Sequence, residues 1–117
     1  MNTRFFTGYL PRDAAPAFTP PAEGASAVKK LLFDVVIRDS RGVEFPEKCV
    51  LEEASLMRDY EPLLTAGRAV IVEGEQTARP FYKSGMLAGH VREVRVRRME
   101  FPARGGKRAA DAEGGEE

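Results

Sequence analysis

Apolar positions along this chain fall into short runs with a period near two, separated by glycine, proline and aspartate, a pattern that predicts a β-protein. Residues 2–10, NTRFFTGYL, alternate so that Phe6 and Leu10 share one face while Phe5, Thr7 and Tyr9 share the other. Gly8 inside that run predicts a bulge or sharp bend. Residues 11–26 hold four prolines and many alanines, which predicts a long loop. Residues 27–38, AVKKLLFDVVIR, are almost continuously apolar from Leu31 to Ile37. Their β-branched members and the Asp39-Ser40-Arg41-Gly42 turn predict a strand entering a hairpin. The return strand runs from Val43 to Leu51, with Pro46 marking an edge or irregular position.

The period then changes. Leu51, Ala54 and Leu56 lie at helical spacing, so residues 52–60 are read as a helix that Pro62 ends or restarts. Gly67 turns the chain into a fourth strand, residues 68–76, whose apolar part is Ala69 to Val72. A basic and aromatic tip follows: Arg79, Pro80, Phe81, Tyr82. Lys83-Ser84-Gly85 turns the chain back into a last strand from Met86 to Phe101. Val94 and Val96 share a face there, and Val91 is out of phase, which predicts a bulge near Arg92 and Glu93. Residues 102–117, rich in glycine, alanine and charge, have no hydrophobic period and predict a disordered charged tail.

Three strands, a helix and two more strands is the connectivity of an OB-fold. The expected fold is therefore all-β: a five-stranded Greek-key barrel over residues 1–101, with one short helix between strands three and four.

Composition narrows the function. The chain of 117 residues carries no net charge, with 18 basic and 18 acidic residues. The balance hides segregation: residues 79–108 hold nine Lys/Arg against two Asp/Glu, and residues 39–75 hold four against nine. A basic patch formed by the C-terminal third, including Arg92, Arg95, Arg97 and Arg98, is the expectation. The last nine residues carry four acids and no base, and are expected to compete with a nucleic acid for that patch. No apolar run is long enough for a membrane span, MNTRFF has no signal-peptide core, and Cys49 is the only cysteine. These features point to the cytoplasm. Cys49 reads as a core thiol. His90 is the only histidine, so neither a zinc site nor another cofactor is expected. Glu52, Glu53, Asp59 and Glu61 read as a solvated helix face. With no nucleophile elbow, phosphate loop or dinucleotide fingerprint, the chain is not expected to be an enzyme.

The ordered short motifs resemble the single-stranded DNA-binding proteins of bacteria, phages and plasmids. Asn2, Phe6, Gly8, Leu10 and Asp13 are similar to that family's opening N-x-x-x-L-x-G-x-L-x-x-D. Arg38-Asp39 ends the second strand as the family's second strand ends. Leu64 with Gly67 resembles its L-x-K-G, with Ala66 in place of the lysine, and Val70 to Gly74 resembles V-x-V-E-G. Phe81 falls where the family places a stacking aromatic and Arg79 where it places a basic residue. The resemblance implies coating of single-stranded DNA in replication, recombination or repair, by a homo-oligomer, dimer or tetramer, that recruits replication or repair proteins. It also has gaps. The chain has no tryptophan, Ile37 and Glu52 stand where the family presents aromatics, and the tail ends in Glu116-Glu117 without terminal apolar residues.

A strand of nucleic acid needs cations for its phosphates and ring faces for its bases. The candidates are Arg38, Arg41, Lys48, Arg79, Lys83 and Arg92 for phosphates, and Phe81, Tyr82 and Phe45 for stacking. Consecutive Phe81 and Tyr82 point to opposite faces of a strand, so that one is core and the other exposed is one expectation. With few aromatics, a large electrostatic share of the affinity is expected. The alternative is an OB-fold protein-interaction module, a primosome-like accessory or phage adaptor, that has lost most stacking residues. A third reading is an RNA-binding OB protein.

Overall fold

A computed structural model describes residues 2–19 and 26–102. The predicted tail beyond Pro102, and the middle of the proline-rich segment, lie outside the described residues. The elements are β1 (Thr3–Tyr9), β2 (Ala15–Thr19), β3 (Val28–Arg38), β4 (Glu44–Leu51), α1 (Ala54–Tyr60) with a 3-10 turn at Glu61–Leu63, β5 (Ala69–Lys83) and β6 (Met86–Glu100). They form one six-stranded sheet in the order β1-β5-β6-β4-β3-β2, and a bridge from Tyr9 to Val36 joins β1 back to β3. The pairings β1-β5-β6-β4-β3-β1 thus form a ring, with β2 attached outside it. Every pairing is antiparallel except β4–β6, which is parallel at Cys49–Val94 and Val50–Arg95. Among the described residues no helix is long and apolar enough to cross a membrane.

The expected count of five strands is corrected to six. Residues 15–19, part of the segment 11–26 read as loop from its four prolines, pair with Val28–Leu32. Proline lacks the N–H a central strand needs, but β2 pairs on one side only, and an edge strand accepts Pro16. The helix is also shorter than residues 52–60, and Pro62 sits near the start of the 3-10 turn, where its missing N–H costs nothing.

Side-chain alternation places the core inside the ring. Phe6 of β1 and Leu10 just after it, Leu31, Phe33 and Val35 of β3, Cys49 and Leu51 of β4, Val70 and Val72 of β5, and Val94, Val96 and Met99 of β6 are all buried. Met57 of α1 and Leu64 join the same cluster. Burial also holds the Cys49 thiol far above its ordinary pKa, so it stays protonated and packs as a small apolar group.

Gly8 is not a bulge. β1 pairs with β5 in unbroken register from Thr3–Glu75 to Tyr9–Ala69. Its backbone instead presses against β3, where a Cβ would collide with the Val36 carbonyl oxygen and come within 2.7 Å of Val35 Cγ1. Gly74 does the same service against β6, with a Cβ placed 2.5 Å from the Arg95 carbonyl oxygen. The bulge expected at Arg92 and Glu93 is likewise elsewhere. Thr77–Glu93, Ala78–Arg92 and Arg79–Val91 are in regular register, and the shifts fall between Glu73 and Gly74 and between Phe81 and Tyr82. The first explains why the buried positions of β6 change from even (Val94, Val96) to odd (Met99). Val91 needs no bulge, because it lies on the outer face.

Two of the family-like motifs, the opening one and that of Leu64 and Gly67, meet in one place. Leu10 N–H donates to the Arg68 carbonyl (3.0 Å) and Gly67 N–H to the Leu10 carbonyl (2.7 Å), while Asp13 Oδ1 accepts from Ala66 N–H (2.8 Å). The end of β1 is thereby stitched to the turn into β5. Gly67 supplies the positive φ of 83° that this turn requires.

Candidate nucleic-acid interface

Two hairpins project the candidate residues. In the first, β3 and β4 pair from Leu31–Leu51 out to Arg38–Glu44. Its turn is held by Asp39 Oδ1, which accepts from Arg41 N–H (2.8 Å) and Val43 N–H (3.0 Å). Gly42 takes φ 85° there. Phe45, opposite Ile37, continues the face that carries Cys49 and is half exposed. Lys48 and Arg38 lie on the other face, and Arg41 is at the turn.

The second hairpin is longer. β5 does not stop at Gln76 but runs through the basic and aromatic tip to Lys83, paired with β6 as far as Lys83–Met86. Ser84 (φ 52°) and Gly85 (φ 78°) make a two-residue turn with both φ positive, the type whose twist matches the flanking strands. Phe81 and Tyr82 point to opposite faces, yet neither is core: they are 39% and 63% exposed, because this part of the hairpin extends beyond the ring. The Phe81 ring leans over Gly89 on the facing strand, where a Cβ would sit 3.1 Å from its Cε1. An aromatic laid across a glycine is held without losing its outward surface.

A polar cluster ties the bases of the two hairpins together. Arg4 of β1 donates to Glu47 of β4 (3.3 Å) and to Gln76 of β5 (2.5 Å), and Arg92 of β6 donates to the same Gln76 oxygen (3.4 Å). Four strands converge there. Arg4 was only a weak candidate from the sequence and Gln76 was not one, since the place of each follows from register rather than from a motif.

Three of the four arginines named for the expected basic patch are paired off. Arg95 faces Glu52 (3.3 Å), Arg97 faces Glu75 (2.6 Å), and Arg98 faces Glu100 (2.8 Å) and Glu73 (3.7 Å). Among the candidates, Arg79 is held by Glu93 (3.1 Å), Arg38 by Glu44 (2.5 Å) and Arg41 by Asp39 (3.6 Å). The hydrogen bond from Arg38 holds the Glu44 carboxyl below its ordinary range, and that from Arg97 does the same for Glu75. Each of these pairs persists above the carboxylate range and is lost as pH falls through the lowered pKa. Lys48, Lys83 and Arg92 have no ion-pair partner among the described residues. Glu52, where the resemblance expects an aromatic, lines an open groove with Glu53, Arg95, Val96 and Arg97.

One segment escapes most of this neutralisation. From Gln76 to Arg92 the chain contains Arg79, Lys83 and Arg92 and no Asp or Glu, and of the three only Arg79 is ion-paired, to Glu93 beyond the segment. The distal half of the second hairpin therefore combines a cation surplus with exposed rings.

Comparison with known proteins places the fold. No protein-family model and no curated protein sequence matches the chain. Solved structures do. A mitochondrial single-stranded DNA-binding protein of S. cerevisiae, Rim1, superposes with a TM-score of 0.65 at 13% identity, covering 86% of this chain and 93% of that one. The N-terminal domain of PriB from Thermoanaerobacter tencongensis, whose structure is dimeric, superposes with a TM-score of 0.61 at 16% identity, covering 88% and 98%. The chain thus has the OB-fold of single-stranded DNA-binding proteins, and at these identities the likeness is one of fold.

Proposed function

We propose that this protein binds single-stranded DNA with little sequence preference, and that its ring of five strands is the Greek-key barrel of an OB module. The observation that carries this reading is the distal β5–β6 hairpin, where Phe81 and Tyr82 stand exposed in a segment with no acid. Bases stack on Phe81 and Tyr82, with Phe45 on the neighbouring hairpin, and Lys83, Arg92, Arg79, Lys48, Arg38 and Arg41 take phosphates. The protein acts as a binding protein rather than an enzyme, in the cytoplasm, in replication, recombination or repair. It works as a homo-oligomer, dimer or tetramer: β1 has an unpaired edge over residues 3–8, and Phe5 beside it is 68% exposed.

The test is fluorescence anisotropy of labelled oligo-dT titrated with the full chain at low and moderate salt. Binding that weakens with salt is expected. No binding at low salt would overturn the reading and leave a protein-interaction module, which the ion-paired arginines favour.

Those ion pairs also set the salt dependence. A phosphate that takes Arg79 from Glu93 sheds a counterion from the DNA, but the released carboxylate gathers one in its place. Net ion release at that contact is therefore small. Glu93→Gln removes the competitor. It is expected to tighten oligo-dT binding a few-fold at low salt and to steepen the log–log salt slope by roughly 0.7, the contribution of one phosphate on a single strand. An unchanged slope would show that Arg79 meets no phosphate.

A further inference from the structure

We propose that the tip of the β5–β6 hairpin recognises the junction between single- and double-stranded DNA, with Tyr82 and Leu87 capping the last base pair. The inference rests on the single-strand reading and adds the form of DNA that is preferred. Tyr82, Met86 and Leu87 are 63%, 73% and 57% exposed and flank the Ser84-Gly85 turn. Tyr82 pairs with Leu87 and Lys83 with Met86, so Tyr82 and Leu87 share one face of a paired tip, and Met86 lies with Lys83 on the other.

The tip is also set apart from the Phe81 ring. The register shift between Phe81 and Tyr82 leaves Ala88 as an extra residue on β6. Such a bulge bends and twists the strand beyond it, which re-aims the side chains at the end. Phe81 lies on one side of that bend, and Tyr82, Met86 and Leu87 on the other.

Chemistry then separates their ligands. One unpaired base is satisfied by one ring face. Leu87 offers no π face, but beside the Tyr82 ring its apolar bulk widens the platform to match the exposed surface of a terminal base pair, as wedge residues do when they enter a base step. Charge agrees. Lys83 sits at the tip and Arg79 four residues behind it, about 13 Å down the strand. A bilayer-inserting loop gathers its cations in one plane around the apolar cap. Here they are strung along the hairpin, as a single strand leaving a duplex end requires.

The experiment compares the full chain on two labelled probes: a free dT strand of about 15 nucleotides, and the same strand as an overhang on a blunt duplex. Wild type is expected to bind the overhang probe roughly tenfold more tightly, within the range one stacking contact supplies. The double variant Met86→Ala/Leu87→Ala should lose that preference while keeping its affinity for the free strand. The swap Met86→Leu/Leu87→Met, which conserves volume, should retain it. Equal affinity of wild type for the two probes, with the free strand still bound, would overturn the junction proposal alone. Absence of binding to either probe would overturn the single-strand reading with it. Co-sedimentation with phosphatidylserine vesicles that the double variant abolishes, without any junction preference, would assign the tip to a lipid surface and overturn the proposal.

Discussion

Replacing Phe81 by alanine is expected to weaken binding of free oligo-dT by roughly 5- to 150-fold, the equivalent of the about 1–3 kcal/mol that one stacked base contributes. The effect should be large because other rings are few. Phe45 is half exposed on the other hairpin, Ile37 and Glu52 replace two aromatics that the family resemblance implies, and Glu52 is engaged by Arg95 at 3.3 Å. Phe81 is also the ring held in a fixed pose, since it leans on Gly89. A fixed ring loses little freedom when a base stacks on it. Its removal leaves the ring core untouched, because Phe81 lies beyond the ring of strands and outside the buried cluster. The melting temperature should therefore hold while affinity falls. Anisotropy with oligo-dT, with a thermal melt of the same sample, reads both. If affinity also held, the single-strand reading would lose its stacking site, and the hairpin would have to be an interaction surface.

How much of this was legible in the sequence differs between fold and site, for a physical reason. The residues that carried the resemblance are those that hold the chain together. Gly8 and Gly74 allow close backbone approach, Val70 and Val72 fill the core, and Leu10, Asp13, Leu64 and Gly67 stitch β1 to the turn before β5. A fold leaves such marks because each position has one tolerable chemistry. β2 escaped because Pro16 and the prolines around it read as loop, and an edge strand is where proline is allowed. Both bulges of β6 were misplaced to a single site at Arg92 and Glu93, since periodicity registers a change of phase without saying which residue is extra.

The site left weaker marks. Phe81, Tyr82 and the Ser84-Gly85 turn could be placed at a hairpin end from local pattern. The pairing of charges could not. Residues 39–75 and 79–108 have opposite net charge, and reading them as separate patches missed that β5 and β6 lie side by side, so Glu73 and Glu75 neutralise Arg98 and Arg97. Charge segregated along a sequence becomes charge cancelled across a sheet whenever the two segments pair. What survives is the stretch from Gln76 to Arg92, where no acid occurs on either strand. Met86 and Leu87 left one signal that was not used: two large apolar residues directly after a tight turn, outside any buried period.

Gly8→Ala should unfold the domain at a temperature lower by roughly 10–20 °C. The added methyl would collide with the Val36 carbonyl oxygen and lie 2.7 Å from Val35 Cγ1. Backbone cannot swing aside as a surface side chain can, and Val35 is fully buried. Overpacking of this kind costs about 1–3 kcal/mol or somewhat more, and each kcal/mol moves the melting point of a domain this size by about 4–8 °C. The contact also closes the ring, because the bridge from Tyr9 to Val36 is the one pairing between β1 and β3. Gly42→Ala is the control. Nothing lies within 4 Å of its missing Cβ, so only the positive φ of 85° is penalised, at about 1–2 kcal/mol. Thermal melts of the two variants should separate clearly, with the position 8 variant the lower. Equal melting points would mean that β1 does not press against β3 at Gly8. The two hairpins, tied at their bases through Arg4, Glu47 and Gln76, would then lack the rigid closure that sets the distance between them.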